Sequence, residues 1–362
     1  MNFTQQIKRF YLMTSIKKIL TNQIFSGIFC LYLAFVLVVL AGCSSNGERN
    51  DKKMILSFYL DDTSPGIAGP EALKTFLDYC KAHGVEGEST VVMGYDGESM
   101  ADNPDSLEKK FLEHAALSYE SGIDTHMEIM THQELFDFEA GKMREDGIHE
   151  GLWLHEPEVS VDVYRDYFSN ILADGEEAGF KFTGFTWPGC GCDACSTRYA
   201  ELREEGPLKF NPAVYEALLD LAKQDRFKTP VVPIFYESSE TDYKIIHKAS
   251  DGKYAVYDLM PNAEDKMGIW ENSIDLVDPD YYITEDGKSG IIVKHLEEGA
   301  PYCMWYMHWQ GLNPESGVGW TAFKTVVERI EQHLGDRVVW MRPTDIVKKY
   351  HEAGDWRFVN EM

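Results

Sequence analysis

Short apolar, β-branched or aromatic runs recur along the chain at residues 54–60, 90–94, 125–130, 182–187, 231–236, 254–257, 302–307 and 338–341, with a longer amphipathic stretch between most of them. This alternation constrains the fold more than any other feature. Continuously apolar strands must be covered on both faces, and parallel strands need long crossovers. The stretches 68–83, 107–121, 161–178, 213–222, 322–334 and 344–352 have the helical period to supply them; the first places Leu73, Phe76, Leu77 and Cys80 on one side. The expected class is α/β, and seven or eight repeats close most naturally into a distorted seven- or eight-stranded (β/α) barrel. An open doubly wound sheet is the competitor. The first run is followed by Asp61-Asp62-Thr63-Ser64-Pro65 rather than a glycine-rich fingerprint, so a dinucleotide enzyme is not expected.

Residues 1–42 contain no acidic side chain. They carry Lys8, Arg9, Lys17 and Lys18 ahead of an apolar run over 24–40 that ends in Leu40-Ala41-Gly42-Cys43. Basic, then apolar, then small residues is the order of a secretory signal. The Cys after Leu-Ala-Gly makes it the lipoprotein form, whose thiol accepts lipid. A retained transmembrane anchor is the alternative, although the run only reaches the lower limit for spanning a bilayer. The expected organisation is a signal peptide at 1–42, lipidated Cys43 with a flexible polar tether to 53, and a single (β/α)-barrel catalytic-type domain over 54–362. Such a protein is exported and held by lipid on a membrane, in the periplasm or at the cell surface. The formal charge of the whole chain is −26, and without the basic leader the rest is more acidic still. A body this acidic is not built to bind nucleic acid or anionic lipid through its surface.

In (β/α) barrels the chemistry gathers where strands end. Asp61 and Asp62 follow the first run. Adjacent carboxylates there can hold a divalent cation, or one can act as base while the other holds metal; Asp62-Thr63-Ser64-Pro65 is also good turn chemistry. If 125–130 is a strand, His126, Glu128 and Met130 share one face. His132 then sits just past its end, as a metal ligand or as a hydrogen-bonded structural residue. His155-Glu156-Pro157 either lines a cleft or begins the next helix. His308-Trp309-Gln310 follows a late apolar strand, which places His308 to donate a proton or to sit buried. Trp153, Trp187, Trp270, Trp305, Trp309 and Trp320 offer flat faces to sugar rings. Trp is mostly scaffold, so one or two of the six are expected to face ligand.

Phe185-Thr186-Trp187-Pro188-Gly189 leads into Cys190-Gly191-Cys192-Asp193-Ala194-Cys195. Three clustered thiols can hold a structural zinc with a fourth ligand from elsewhere, or form disulfides, which export permits. With Cys80 and Cys303 the count beyond Cys43 is odd, so at least one thiol is unpaired or bound to something else.

The order of these motifs resembles the polysaccharide deacetylase family, divergent β/α-barrel members of the glycoside hydrolase/deacetylase superfamily. Leu60-Asp61-Asp62-Thr63 is similar to the family's first motif, two acids after the first strand. Glu128-Ile129-Met130-Thr131-His132 is similar to the second, in which a metal-binding His follows a Glu-Ile pair. The 185–189 stretch looks like a variant of the aromatic and Pro-Gly motif that walls the cleft, and His308 matches the His of the last. The resemblance spans about residues 54–350. It implies a carbohydrate deacetylase with Asp62 and His132 on a divalent metal, zinc for preference, Asp61 as base and His308 as acid. Trp187, Glu156 and Trp309 would then meet the carbohydrate. Two departures stand out. The family's second metal His is replaced by Phe136, with Asp137 beside it as a possible substitute, and the Arg usual before the Pro of the third motif is missing.

Two further readings remain open. A metal-independent glycoside hydrolase would use two carboxylates from Asp61, Glu156, Glu237 and Asp258. A non-catalytic glycan-binding lipoprotein would keep the cleft without the chemistry, and the missing second His favours it.

Overall fold

Strand β1 (Met54–Asp61) is buried along almost its whole length, as its apolar sequence demands. The chain then alternates: α1 (Pro70–His83), β2 (Gly87–Val91), α2 (Ser106–Ala115), β3 (Ile123–Met127), a small hairpin β4 (Phe136–Asp137) and β5 (Lys142–Met143), α3 (Glu150–Trp153), α4 (Val161–Glu177), β6 (Gly184–Thr186), α5 (Pro212–Lys223), β7 (Val231–Phe235), β8 (Ile245–Asp251), β9 (Tyr254–Leu259), α6 (Pro279–Tyr282), α7 (Ile291–Glu298), β10 (Tyr302–His308), α8 (Trp309–Leu312), α9 (Trp320–His333), β11 (Val338–Trp340) and α10 (Pro343–Ala353). The computed structural model describes residues 52–95, 97–102, 104–189, 200–201, 209–236 and 245–362. The leader, Cys43, Glu237 and the cysteines at 190, 192 and 195 lie outside the described residues. No helix among the described residues is long and apolar enough to cross a membrane.

Local chemistry sets the helix limits. Helix α1 starts with Pro70 in its first turn and stops at Gly84, whose φ of 60° is the left-handed conformation that closes a helix at little cost to glycine. Helix α2 begins with a reciprocal capping box between Asp105 and Glu108. Each helix turns an apolar face to the sheet; α1 buries Leu73, Phe76, Leu77 and Cys80, as its period predicts. The centre of that layer is Phe58, ringed by Phe76, Trp305, Phe323 and Trp340.

All strand pairings are parallel except β8 on β9 and the β4–β5 hairpin. The order is β2-β3-β6-β7-β9-β8 in one sheet and β10-β1-β11 in another. The result is a mixed α/β fold with a parallel-rich sheet. It is compatible with a (β/α) barrel, but the backbone ladders of the described residues do not close into a ring.

The two edges where the sheets meet are stitched by side chains together with a few backbone bonds, the Val92 N–H to the Thr63 carbonyl at one edge and the Asn262 and Ala263 N–H groups to the Met304 carbonyl at the other. Next to β2, the Leu60 N–H donates to the Glu88 carboxylate at 3.3 Å, the Thr63 N–H donates to Thr90 Oγ1 at 3.3 Å, and the Thr63 and Ser89 hydroxyls lie 2.9 Å apart. Beyond β9, the Asn262 carboxamide accepts from the Met304 N–H at 2.8 Å and donates to the Tyr302 carbonyl at 3.1 Å, as a neighbouring strand would. Buried polar groups are tolerable only with such partners.

Strand ends differ from the sequence pattern in instructive ways. Strand β2 begins at Gly87, before the apolar run, because Glu88 is wholly buried and serves as a stitch. Strand β3 stops at Met127 rather than 130, since Ile129 has φ 51° and cannot continue it. The antiparallel β8 and helix α7 were not expected.

Asp124 on β3 is fully buried and accepts both the N–H and the hydroxyl of Thr344 at the start of α10, each at 2.8 Å. Burial pushes its carboxyl up to about 7. The native state therefore holds a proton that the unfolded chain releases above about pH 4, so this group's contribution to stability is present at low pH and is lost as pH rises to 7. Asp124→Asn should flatten the fall in denaturation midpoint between pH 5 and pH 7.5, an effect on the order of 2 kcal/mol. Equal slopes in variant and wild type would remove Asp124 from that account.

Candidate functional site

Four chain segments converge where β1, β3 and β10 end. Asp61 and His308 are register partners on adjacent parallel strands, so their side chains leave the same face. Asp62 turns sharply, with φ 65°, and its N–H donates to Glu128 Oε2 at 3.0 Å. After β3 the chain bends through Ile129 at φ 51° and His132 at φ 58°. Three non-glycine residues in left-handed conformations at one place is strain that the surroundings must hold, of a kind that gathers at functional sites.

That bend brings His132 back over Glu128. His132 Nε2 lies 3.0 Å from Asp62 Oδ1 and 3.2 Å from Glu128 Oε1. Asp62 Oδ2 accepts from the Gln310 carboxamide at 2.9 Å. One donor atom from each of Asp62, Glu128 and His132 lies within 4.8 Å of the others. Two carboxylates and an imidazole that meet this closely suit zinc or another divalent ion. Among the described residues this is the one cluster of three His, Cys, Asp or Glu side chains so arranged.

Glu150 holds the bend from beneath. Its buried carboxylate accepts the N–H groups of Met130, Thr131 and His132 at 3.2, 2.9 and 2.9 Å, and the Tyr167 hydroxyl at 2.6 Å. Burial raises its carboxyl to about 7 despite these four donors.

The electrostatics sort the ionisable groups. Asp61 is half-buried with Oδ1 sealed from solvent; burial first, then the nearby Glu128, raises its carboxyl well above the usual range. Burial works against the charge on Asp62, but the hydrogen bond from His132 overcomes it and lowers the carboxyl. Burial likewise opposes a charged His132, and Glu128 and Asp62 outweigh it, so the ring is raised well above its ordinary value. For His308 the order is the same: burial disfavours the cation, and Asp265, whose Oδ2 lies 2.8 Å from Nδ1, reverses this and lifts the ring to about 9. Asp265 also accepts the Met267 N–H at 2.8 Å, which fixes it.

The expected residues fall into groups. Asp61, Asp62, His132 and His308 come together. Trp187 is half-buried in an aromatic wall with Tyr236 and Phe210, its indole N–H donating to the Gly151 carbonyl at 3.2 Å. Glu156 is half-buried in the turn after α3, where its carbonyl accepts from Asn211 at 2.8 Å. Trp309 is a correction: it is fully buried in a T-shaped contact with Phe76, so it belongs to the core and has no face to give a sugar. Asp137 is also corrected as a substitute ligand. It is exposed in the β4–β5 hairpin and accepts the N–H groups of Glu139 and Ala140. The third member of the cluster is Glu128, four residues before His132, and that spacing was its signal. Gln310 was visible only as the neighbour of His308. Asp265 and Glu150 stand in no motif, and no local pattern marks them.

No family model matches the sequence, and no curated protein matches it. Among solved structures, an exo-β-1,4-mannosidase from Opitutaceae bacterium strain TAV5 is similar over 84% of this chain and 60% of its own, with 11% sequence identity and a TM-score of 0.35. The chain thus spans less than two thirds of that enzyme's length.

Replacing Glu150 by Ala removes the acceptor from three backbone N–H groups. Hydrogen exchange at residues 130–132 should speed up about tenfold or more. Unchanged exchange there, measured by NMR or mass spectrometry, would mean that other groups hold the bend.

Proposed function

We propose that this protein is an exported, lipid-anchored hydrolase on a distorted (β/α) barrel, which removes acyl groups from a glycan at a divalent-metal site. The observation that carries the reading is the meeting of Asp62, Glu128 and His132 beside Asp61 and His308. The leader sequence, with Cys43 as lipid acceptor, is what supports export and anchoring.

Asp62, Glu128 and His132 would hold the metal, and zinc fits their mixed donors best. Such an ion, when bound, polarises an acyl carbonyl and makes a nearby water more acidic. Asp61 takes a proton from the attacking water, a step for which it must be ionised, and the charged His308 and His132 beside it work against the rise that burial imposes. His308, held as a cation by Asp265, gives its proton to the leaving alcohol or amine. Gln310 keeps one oxygen of Asp62 turned from the cluster. Trp187 and Tyr236 form an aromatic wall against which a sugar can pack.

A second reading has its own observation. His132 lies within 3.2 Å of both Asp62 and Glu128, and a charged imidazole there balances two carboxylates without metal. Asp61, biased toward its protonated form, could then serve as the acid of a glycoside hydrolase with an ionised partner.

Metal content separates the two. The purified protein should carry about one equivalent of divalent metal more than the Asp62→Ala/His132→Ala variant. Metal retained in that variant would place it at the cysteines 190, 192 and 195, and wild type free of metal after zinc is offered would favour the glycosidase. Asp61→Asn should keep its metal and lose roughly 10²-fold or more in turnover of an acetylated glycan. Full activity in Asp61→Asn would remove it as the base.

A further inference from the structure

Of the tryptophans at positions 153, 187, 270, 305, 309 and 320, Trp270 stands apart. It is 59% exposed, whereas Trp305 and Trp309 are at 0% and Trp153 is at 7%. Ile274 and Leu276, in the same loop, are exposed as well. Single exposed apolar residues such as Leu107 and Val163 are ordinary, but three on one loop form a group, and the backbone here holds that loop in place.

The loop from Met267 to Val277 closes with a bridge between those two residues. Within it Gly268, Ile269 and Asn272 have φ values of 99°, 49° and 52°. A β-branched residue in the left-handed region is a genuine outlier that the surroundings must hold. Ile269 immediately precedes Trp270. The bend is held on both sides. The Asn272 carboxamide accepts from the Val318 N–H at 2.9 Å and donates to the Ser316 carbonyl at 3.3 Å. Gly319 and Gly311 let the loop dock closely, since a Cβ on either would come within 1.9 Å and 2.6 Å of the Met267 carbonyl oxygen.

Both supports lead to the catalytic cluster. Asp265, which anchors the Met267 N–H, also holds His308. Gly311, beneath the loop, follows Gln310, which bonds Asp62. The loop that carries the indole thus shares Asp265 with His308 and packs its backbone on the residue after Gln310.

We propose that Trp270, with Ile274 and Leu276 exposed on the same loop, is a platform on which a sugar ring of the glycan stacks, a subsite set apart from the acyl group that is removed. This rests on the carbohydrate reading above. The charge around the ring argues against an anionic occupant and is compatible with a hydroxyl-bearing one. Glu271 and Asp275 are exposed on the same loop and would repel an anionic membrane, and a second copy of this chain carries its own charge of −26. The same carboxylates can accept hydrogen bonds from sugar hydroxyls while the indole covers the C–H face.

The test uses detergent-solubilised full-length protein in native gels cast with glycol chitin, acetylated xylan or mannan, together with hydrolysis of 4-methylumbelliferyl acetate, which has no sugar. At least one glycan should retard wild type. Trp270→Ala should weaken that affinity roughly tenfold, Trp270→Phe should restore most of it, and neither should change ester hydrolysis. Equal retardation of wild type and Trp270→Ala would overturn the proposal, as would no retardation by any of the three glycans. A concentration-dependent oligomer that Trp270→Ala abolishes would overturn it too, by assigning the patch to self-association. Retardation with no ester hydrolysis would keep the platform and remove the deacylase reading, and ester hydrolysis with no retardation would do the reverse.

Discussion

The carboxylate of Glu128 joins fold and site. One oxygen accepts the N–H of Asp62 at 3.0 Å, in the strained residue that ends β1; the other faces His132 at 3.2 Å, at the end of a strained bend. The side chain is almost entirely buried. A carboxylate in that position is costly unless donors and cations surround it. The left-handed turns at Asp62 and His132 supply them, and in turn depend on the carboxylate to persist. Glu150 repeats the device one layer below, where a buried acid gathers three consecutive N–H groups.

Acidic groups turned inward recur through the fold. Glu88 replaces ladder bonds beside β1, Asp124 pins the start of α10, and Asp265 fixes His308. Burial raises the carboxyls of Asp61, Glu88, Asp124 and Glu150. The result is a proton-rich interior close to the Asp62, Glu128 and His132 cluster, where His126 is held neutral by burial and His308 is held charged by its neighbours.

Much of the α/β order was legible in sequence, because apolar runs and helical periods report burial directly. Helices α1, α4, α5, α9 and α10 lie within two residues of their expected limits. What was not legible depends on contacts between distant segments. Glu88 could be placed in a strand only once Leu60 was beside it, and Asn262 acts as a strand only because Tyr302 and Met304 run past it. The pair Asp61 and Asp62 was visible, as were His132 and His308, each at the end of an apolar run. Asp265 was not, because its value comes from a partner 43 positions away. Trp309 was misjudged for a related reason: a single sequence does not say which side of a short helix meets Phe76.

The stitched edge between β1 and β2 has a consequence for how such a protein changes over generations. A backbone ladder has the same spacing whatever residues form it, so a wall closed by ladders can hardly be altered by substitution. Here the spacing beside Asp61 and Asp62 is held largely by the side chains of Thr63, Ser89, Thr90 and Glu88, with one backbone bond from the Val92 N–H to the Thr63 carbonyl. All four are buried, so a change in the length of any one leaves a buried donor or acceptor unmatched unless its partner changes with it. The seam is therefore inherited as a set of paired residues, and a lineage that shifts it must alter both members of a pair together.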